Sequence, residues 1–106
     1  MSKHKRRIRS VIRQVGLDPD SKKYVGKCMR QRLRLAQALM EDPEVLILDE
    51  PMNGLDKSGV DEMRQLLLQL KEQGKTILIA SHNPDDVKIL CDTIREMDAG
   101  IMTVVK

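Results

Sequence analysis

EVLILDEPMNGLD (44–56) holds four consecutive aliphatic residues, then two carboxylic acids side by side, then a proline. An apolar run this short, bounded by Pro43 and Pro51, reads as a strand buried on both faces. Residues 57–73 carry Val60, Met63, Leu67 and Leu70 on one stripe, with Leu66 widening it, and predict a helix stopped at Gly74. TILIA (76–80) is a second buried strand, halted by SHNPDD. Strand, helix, strand gives two parallel strands joined by a right-handed crossover, and so the α/β class. Parallel strands deliver their carboxyl ends to one edge, and open α/β sheets bind ligands along that edge. Asp49 and Glu50 therefore converge with Ser81 and His82.

Those residue types suit phosphate chemistry assisted by a metal. A carboxylate at a strand end is rigidly held and can face a divalent cation, directly or through water. A second carboxylate beside it can accept a proton from water. An imidazole can donate a hydrogen bond to an anionic transition state. The competing reading is that acids at strand ends only open turns. The pairing of DE on one strand with SH at the matching end of the other favours the chemical reading.

Outward from this centre, Ile8, Val11, Ile12 and Val15 recur at helical spacing and predict an amphipathic helix over 4–15, stopped at Gly16. MRQRLRLAQALME (29–41) is rich in helix formers and ends at Asp42-Pro43, since a residue before proline leaves the α region. Asn83 or Ser81 can cap a short helix reaching 91, with Pro84 in its first turn. TIREM and IMTVV flank DAG, the pattern of a hairpin.

The 106 residues are 41% hydrophobic and 33% charged, a soluble globular balance. With one Tyr and neither Phe nor Trp, the core falls to Leu, Ile, Val and Met, and base stacking on aromatic platforms has almost nothing to use. No apolar stretch approaches the ~20 residues that cross a bilayer. The basic opening MSKHKRRIRS leads into neither a long apolar segment nor a small-residue cleavage site, so it does not read as a secretory signal. Cys28 and Cys91 lack metal-site spacing and read as plain thiols of a reducing compartment. Charge is uneven: residues 1–34 carry +10 and residues 35–106 carry −7. A basic arm on an acidic body could meet nucleic acid or anionic lipid, or be a solvated helix face; with no nucleic-acid motif present, the solvated face is preferred.

VLILDEP resembles the Walker B strand of ATP-binding cassette (ABC) ATPases, NGLD their D-loop and IASH their H-loop, while MRQRLRLAQALMEDP is similar to the helix after their signature loop. All stand in the family's order and spacing. LDEPMNGLD and IASHN…LCDTIREMDAG look more narrowly like the bacterial drug and bacteriocin export subgroup. The resemblance implies a partial P-loop NTPase (ABC ATPase) fold of parallel strands, flanking helices and a C-terminal β-hairpin. It implies that residues 1–41 are part of a helical subdomain and 42–106 the C-terminal part of the ATPase core. It implies ATP and Mg2+ as cofactors: Asp49 on the metal through water, Glu50 as general base, His82 on the γ-phosphate, Asp56 at a dimer interface, and Gln31 and Arg32 as polar residues just after the signature. The implied partners are a transmembrane permease subunit and a second ATPase subunit, not nucleic acid. The implied place is the cytoplasm, peripheral at the inner face of the membrane.

Two departures from the family pattern shape the expectation. The six glycines form no GxxxxGK[ST], the loop that grips phosphates, so the 106 residues resemble the C-terminal half of a nucleotide-binding domain. The signature region reads VGKCMRQR (25–32), with Cys28 standing where the subgroup has several residues and with no glycine pair. The expectation is thus an ATPase-subunit chain inactive by itself. Its alternatives are a non-catalytic remnant or interaction module pairing with a complementary half or a transporter subunit, and, more weakly, nucleic-acid binding through 1–34. Strands apolar on both faces without their neighbours also predict an exposed, association-prone surface.

Overall fold

A computed structural model describes residues 2–21 and 26–106. The elements are α1 (Lys3–Gln14), α2 (Lys27–Leu39), β1 (Val45–Asp49), α3 (Lys57–Glu72), β2 (Thr76–Ala80), α4 (Pro84–Leu90), β3 (Arg95–Asp98) and β4 (Ile101–Val104). β1 and β2 pair in parallel with Val45 opposite Thr76 and Asp49 opposite Ala80. β3 and β4 form a separate antiparallel pair, Arg95 opposite Val104.

Local chemistry sets the helix ends. Ser2 Oγ accepts the Lys5 N–H at 3.2 Å at the start of α1. Asp56 Oδ1 accepts the Gly59 N–H at 2.7 Å at the start of α3. At α4 the cap is Asn83, whose Oδ1 accepts from the amides of Asp85 and Asp86, with Pro84 in the first turn. Ser81 stands one step earlier, its Oγ accepting the Asn83 N–H at 3.1 Å. The C-terminal carbonyls of α2 are met by Arg7, which donates to Leu39 O at 2.6 Å and Met40 O at 2.9 Å. A cation at a helix C-terminus also meets the negative end of the helix dipole.

One aliphatic core joins all four helices to the β1–β2 sheet. Val11 and Val15, Leu35, Ala36 and Leu39, Met63, Leu66, Leu67 and Leu70, and Leu90 share it with Leu46. The 1–41 stretch and the 42–106 stretch thus contribute to a common interior. In α1 the expected stripe is only half used: Val11 and Val15 are buried, while Ile8 is 44% exposed.

The sheet corrects one expectation. Neither central strand is buried on both faces. Leu46 is 2% exposed, and Leu48, Ile77 and Ile79 pack against the core, whereas Val45, Ile47 and Leu78 on the opposite face stand 55%, 74% and 61% exposed. Side chains alternate across a strand, and these residues supply a helical layer for one face alone. The β3–β4 hairpin is exposed throughout; its two-residue turn places Ala99 and Gly100 at φ +49° and +80°, both left-handed, as a tight antiparallel turn requires.

Candidate active site

The register Asp49 opposite Ala80 brings the two strand ends together. The Glu50 amide donates to Ala80 O at 2.8 Å, carrying the pairing one residue past the strands. There the chain turns. Glu50 takes φ +48°, a left-handed conformation that costs a non-glycine residue of order 1–3 kcal/mol. The turn that follows secures it: the Asn53 amide donates to Glu50 O at 3.1 Å and the Leu55 amide to Met52 O at 3.2 Å. Pro51 and Met52 are buried beneath it.

This bend separates two acids adjacent in sequence. Asp49 is exposed and shares the bare face with Val45 and Ile47. It lines a cavity of about 220 Å3 together with Gln31, Arg34, Ile47 and Pro51. Glu50 is turned toward β2: its Oε1 accepts the His82 backbone N–H at 2.9 Å, and the His82 imidazole Nδ1 sits against the same oxygen. The Glu50 side chain is 31% exposed and that of His82 is 99% exposed. Of the four strand-end residues, the structure thus joins Glu50 and His82 directly, sets Asp49 on the adjoining face, and gives Ser81 to the α4 cap.

The remaining candidates have structural contacts. Asp56 caps α3. Gln31 Nε2 donates to Asn53 O at 3.1 Å. Arg32 donates to Val15 O at 2.9 Å and to Glu62 Oε2 at 2.7 Å, binding α2 to the end of α1 and to α3. Val25 lies outside the described residues, so only part of the VGKCMRQR reading meets the structure.

Three ties escaped the sequence. These are Gln31 to Asn53, Arg7 to the end of α2, and Arg64 to Asp86, whose Oδ1 accepts from the Arg64 Nε at 3.0 Å. Asp86 is a charged residue just 3% exposed, and its partner lies 22 residues away, beyond any periodicity. Elsewhere, hydrogen bonding by Lys75 holds the Asp42 carboxyl below the usual carboxylate range, Arg9 does the same for Asp20, and burial raises the Cys91 thiol. Arg7, Arg9 and Arg32 are each committed to internal partners, which draws cations out of the basic arm.

Among the described residues no group of three or more His, Cys, Asp or Glu could enclose a metal ion. Mg2+ needs no such cage, since it is bound through one or two carboxylates with the remaining positions held by water and substrate phosphates. Asp49, an exposed hard-oxygen donor at a strand end, fits that donor set. No helix among the described residues is long and apolar enough to cross a membrane.

A crossover of parallel strands, helices on one face, acids and an imidazole at the strand ends and a C-terminal hairpin make up part of the ABC ATPase form of the P-loop NTPase fold. Solved structures agree. CbiO1 from Clostridium perfringens, part of the ABC transporter complex cbiONQ, matches with TM-score 0.81 and 35% identity, over 93% of this chain and 41% of that one. MJ1267, an ATP-binding cassette of an ABC transporter in its ADP conformation, shares the fold with TM-score 0.83 at 21% identity, over 97% of this chain and 42% of that one. The ABC transporter family model matches residues 3–53. The bacitracin transport ATP-binding protein BcrA of Bacillus licheniformis is 48% identical over 100 residues, 91% of this chain and 33% of that protein. The ABC transporter ATP-binding protein YybJ of Bacillus subtilis is 45% identical over 92 residues, 84% of this chain and 42% of that protein. The chain belongs to the ABC transporter ATP-binding family and represents part of its ATP-binding domain. It spans 28–42% of the length of the curated relatives it matches first.

Proposed function

We propose that the chain is part of an ATP-binding subunit whose hydrolysis of ATP drives export across a membrane. The observation that carries this reading is Glu50: a carboxylate fixed by a left-handed turn at the end of a parallel strand and held by His82, two residues past the end of the neighbouring strand. In it Asp49 would hold Mg2+, and the ion, when bound, would supply charge neutralisation of the phosphates. Glu50 accepts the proton of the attacking water, and His82 reaches the γ-phosphate. Asp56, Gln31 and Arg32 serve contacts to nucleotide or to a second ATPase subunit. Residues 1–41 act as part of a helical subdomain facing a transmembrane permease, and 42–106 as the C-terminal part of the core, at the cytoplasmic face of the membrane. The relationship to a bacitracin transport ATP-binding protein supports export.

Since the 106 residues hold no GxxxxGK[ST], turnover requires a phosphate-gripping half in addition. The test is Mg2+-dependent ATP hydrolysis by the chain alone and with the phosphate-loop half of the B. licheniformis relative. The expected result is none alone, and turnover with the added half that Glu50→Gln abolishes. Turnover indifferent to Glu50→Gln would overturn the role of Glu50.

The bare face formed by Val45, Ile47 and Leu78 favours a second reading as well: an interaction module whose purpose is to pair with a complementary half, with or without catalysis. Stable co-elution of the two halves without turnover would favour this reading over the first.

A further inference from the structure

We infer that Gln31 is a positioning residue for Glu50, acting from α2 through the turn at Asn53. The inference rests on reading Glu50 as the proton acceptor. Two consecutive hydrogen bonds make the connection. Gln31 Nε2 donates to Asn53 O at 3.1 Å, and the Asn53 amide donates to Glu50 O at 3.1 Å. Asn53 is thereby held on both sides, its amide by the residue that must stay in place and its carbonyl by a helix.

The arrangement is directional. A glutamine amide has a donor end and an acceptor end. Gln31 Oε1 accepts from Arg34 Nη1 at 3.4 Å, which leaves the amino group facing the Asn53 carbonyl. The helix that presents it is itself fixed one residue later, where Arg32 reaches Val15 O and Glu62. Gln31 also borders the cavity shared by Asp49 and Pro51, so its contact touches the turn on the side where Asp49 lies. Glu50 sits at φ +48°, a strained conformation for a non-glycine residue that persists only where surrounding contacts hold it, and the Gln31 bond to Asn53 is one of those contacts. The carboxylate that meets the His82 amide would then lose its aim.

The test is residue-resolved amide hydrogen exchange on the 106-residue chain. Gln31→Leu removes the amide, and Gln31→Glu keeps its shape and its acceptor for Arg34 but no donor. Each is expected to speed exchange at Asn53 and His82 about tenfold, while amides inside α3 such as Met63 stay within about twofold. Gln31→Lys, which restores a donor, is expected to bring both rates back. Unchanged exchange at Asn53 and His82, a uniform rise along the chain, or a lysine variant no better than leucine would each overturn the inference. The Glu50 reading fails on different data, namely ATP turnover that survives Glu50→Gln.

Discussion

The two faces of the β1–β2 sheet differ more than their sequences do. Leu46 and Ile47 are neighbours of nearly equal hydrophobicity, yet one is 2% and the other 74% exposed. Four helices have gathered over Leu46, Leu48, Ile77 and Ile79; Val45, Ile47 and Leu78 stay largely exposed, with α2 only bordering Ile47 across the cavity that it shares with Gln31 and Arg34. Burial is a property of the layer above a residue, and hydrophobic character alone does not supply that layer. The bare face therefore records a requirement of the fold that these residues do not meet.

The comparison can be broken at several points. Leu46→Ala should have the largest effect, destabilising by about 2–5 kcal/mol through lost burial and a cavity. Ile47→Ala should change the stability measured by urea unfolding hardly at all, by less than about 0.5 kcal/mol. Equal losses in the pair would show that the outer face is covered in solution. Arg64→Met comes next. It leaves the nearly buried Asp86 without its cation, and denaturant unfolding should register about 2–4 kcal/mol, since Arg64 itself is partly exposed. Arg7→Ala, which uncovers two carbonyls at the end of α2, should cost about 1 kcal/mol.

Two further measurements sharpen the contrast. The open face predicts a chain that associates with rising concentration, and Ile47→Lys should suppress that association in sedimentation velocity. A cooperative, monomeric thermal transition above about 60 °C would contradict the expected weakness. The smallest effect concerns acid. Lys75 depresses the Asp42 carboxyl in the folded state, so its contribution is present at neutral pH and is lost as pH falls through that lowered value. A urea series from pH 6 to pH 3 should show a slightly flatter loss for Asp42→Asn than for the parent chain.

Much of this was legible in the residues. The stripe Met63, Leu66, Leu67 and Leu70 fixes the buried side of α3, and Pro84 after Asn83 marks the start of α4, because these are local matters of spacing and capping. Convergence of the strand ends followed from parallel topology. What the sequence withheld depends on the third dimension. Ile8 obeys the same helical period as Val11 but overhangs the core. Strand apolarity suggested two covered faces, though only one exists here. Asp49 and Glu50 look equivalent as a dipeptide, and only the left-handed turn at Glu50 sends one toward His82 and leaves the other on the open face. The Gln31 and Arg64 ties join residues far apart in the chain, and no local pattern announces them.

Gly16 lies at φ +84°, and a β-carbon there would collide with the Arg32 guanidinium. Arg32 in turn depends on that space to reach Val15 and Glu62. The left-handed φ disfavours a side chain at 16 in any case, and Arg32 adds a steric reason of its own. A side chain gained at 16 would push the guanidinium aside and be felt at α3 through Glu62. A line of descent that lost the arginine first would find the glycine easier to replace, while one that kept the arginine would keep the glycine with it.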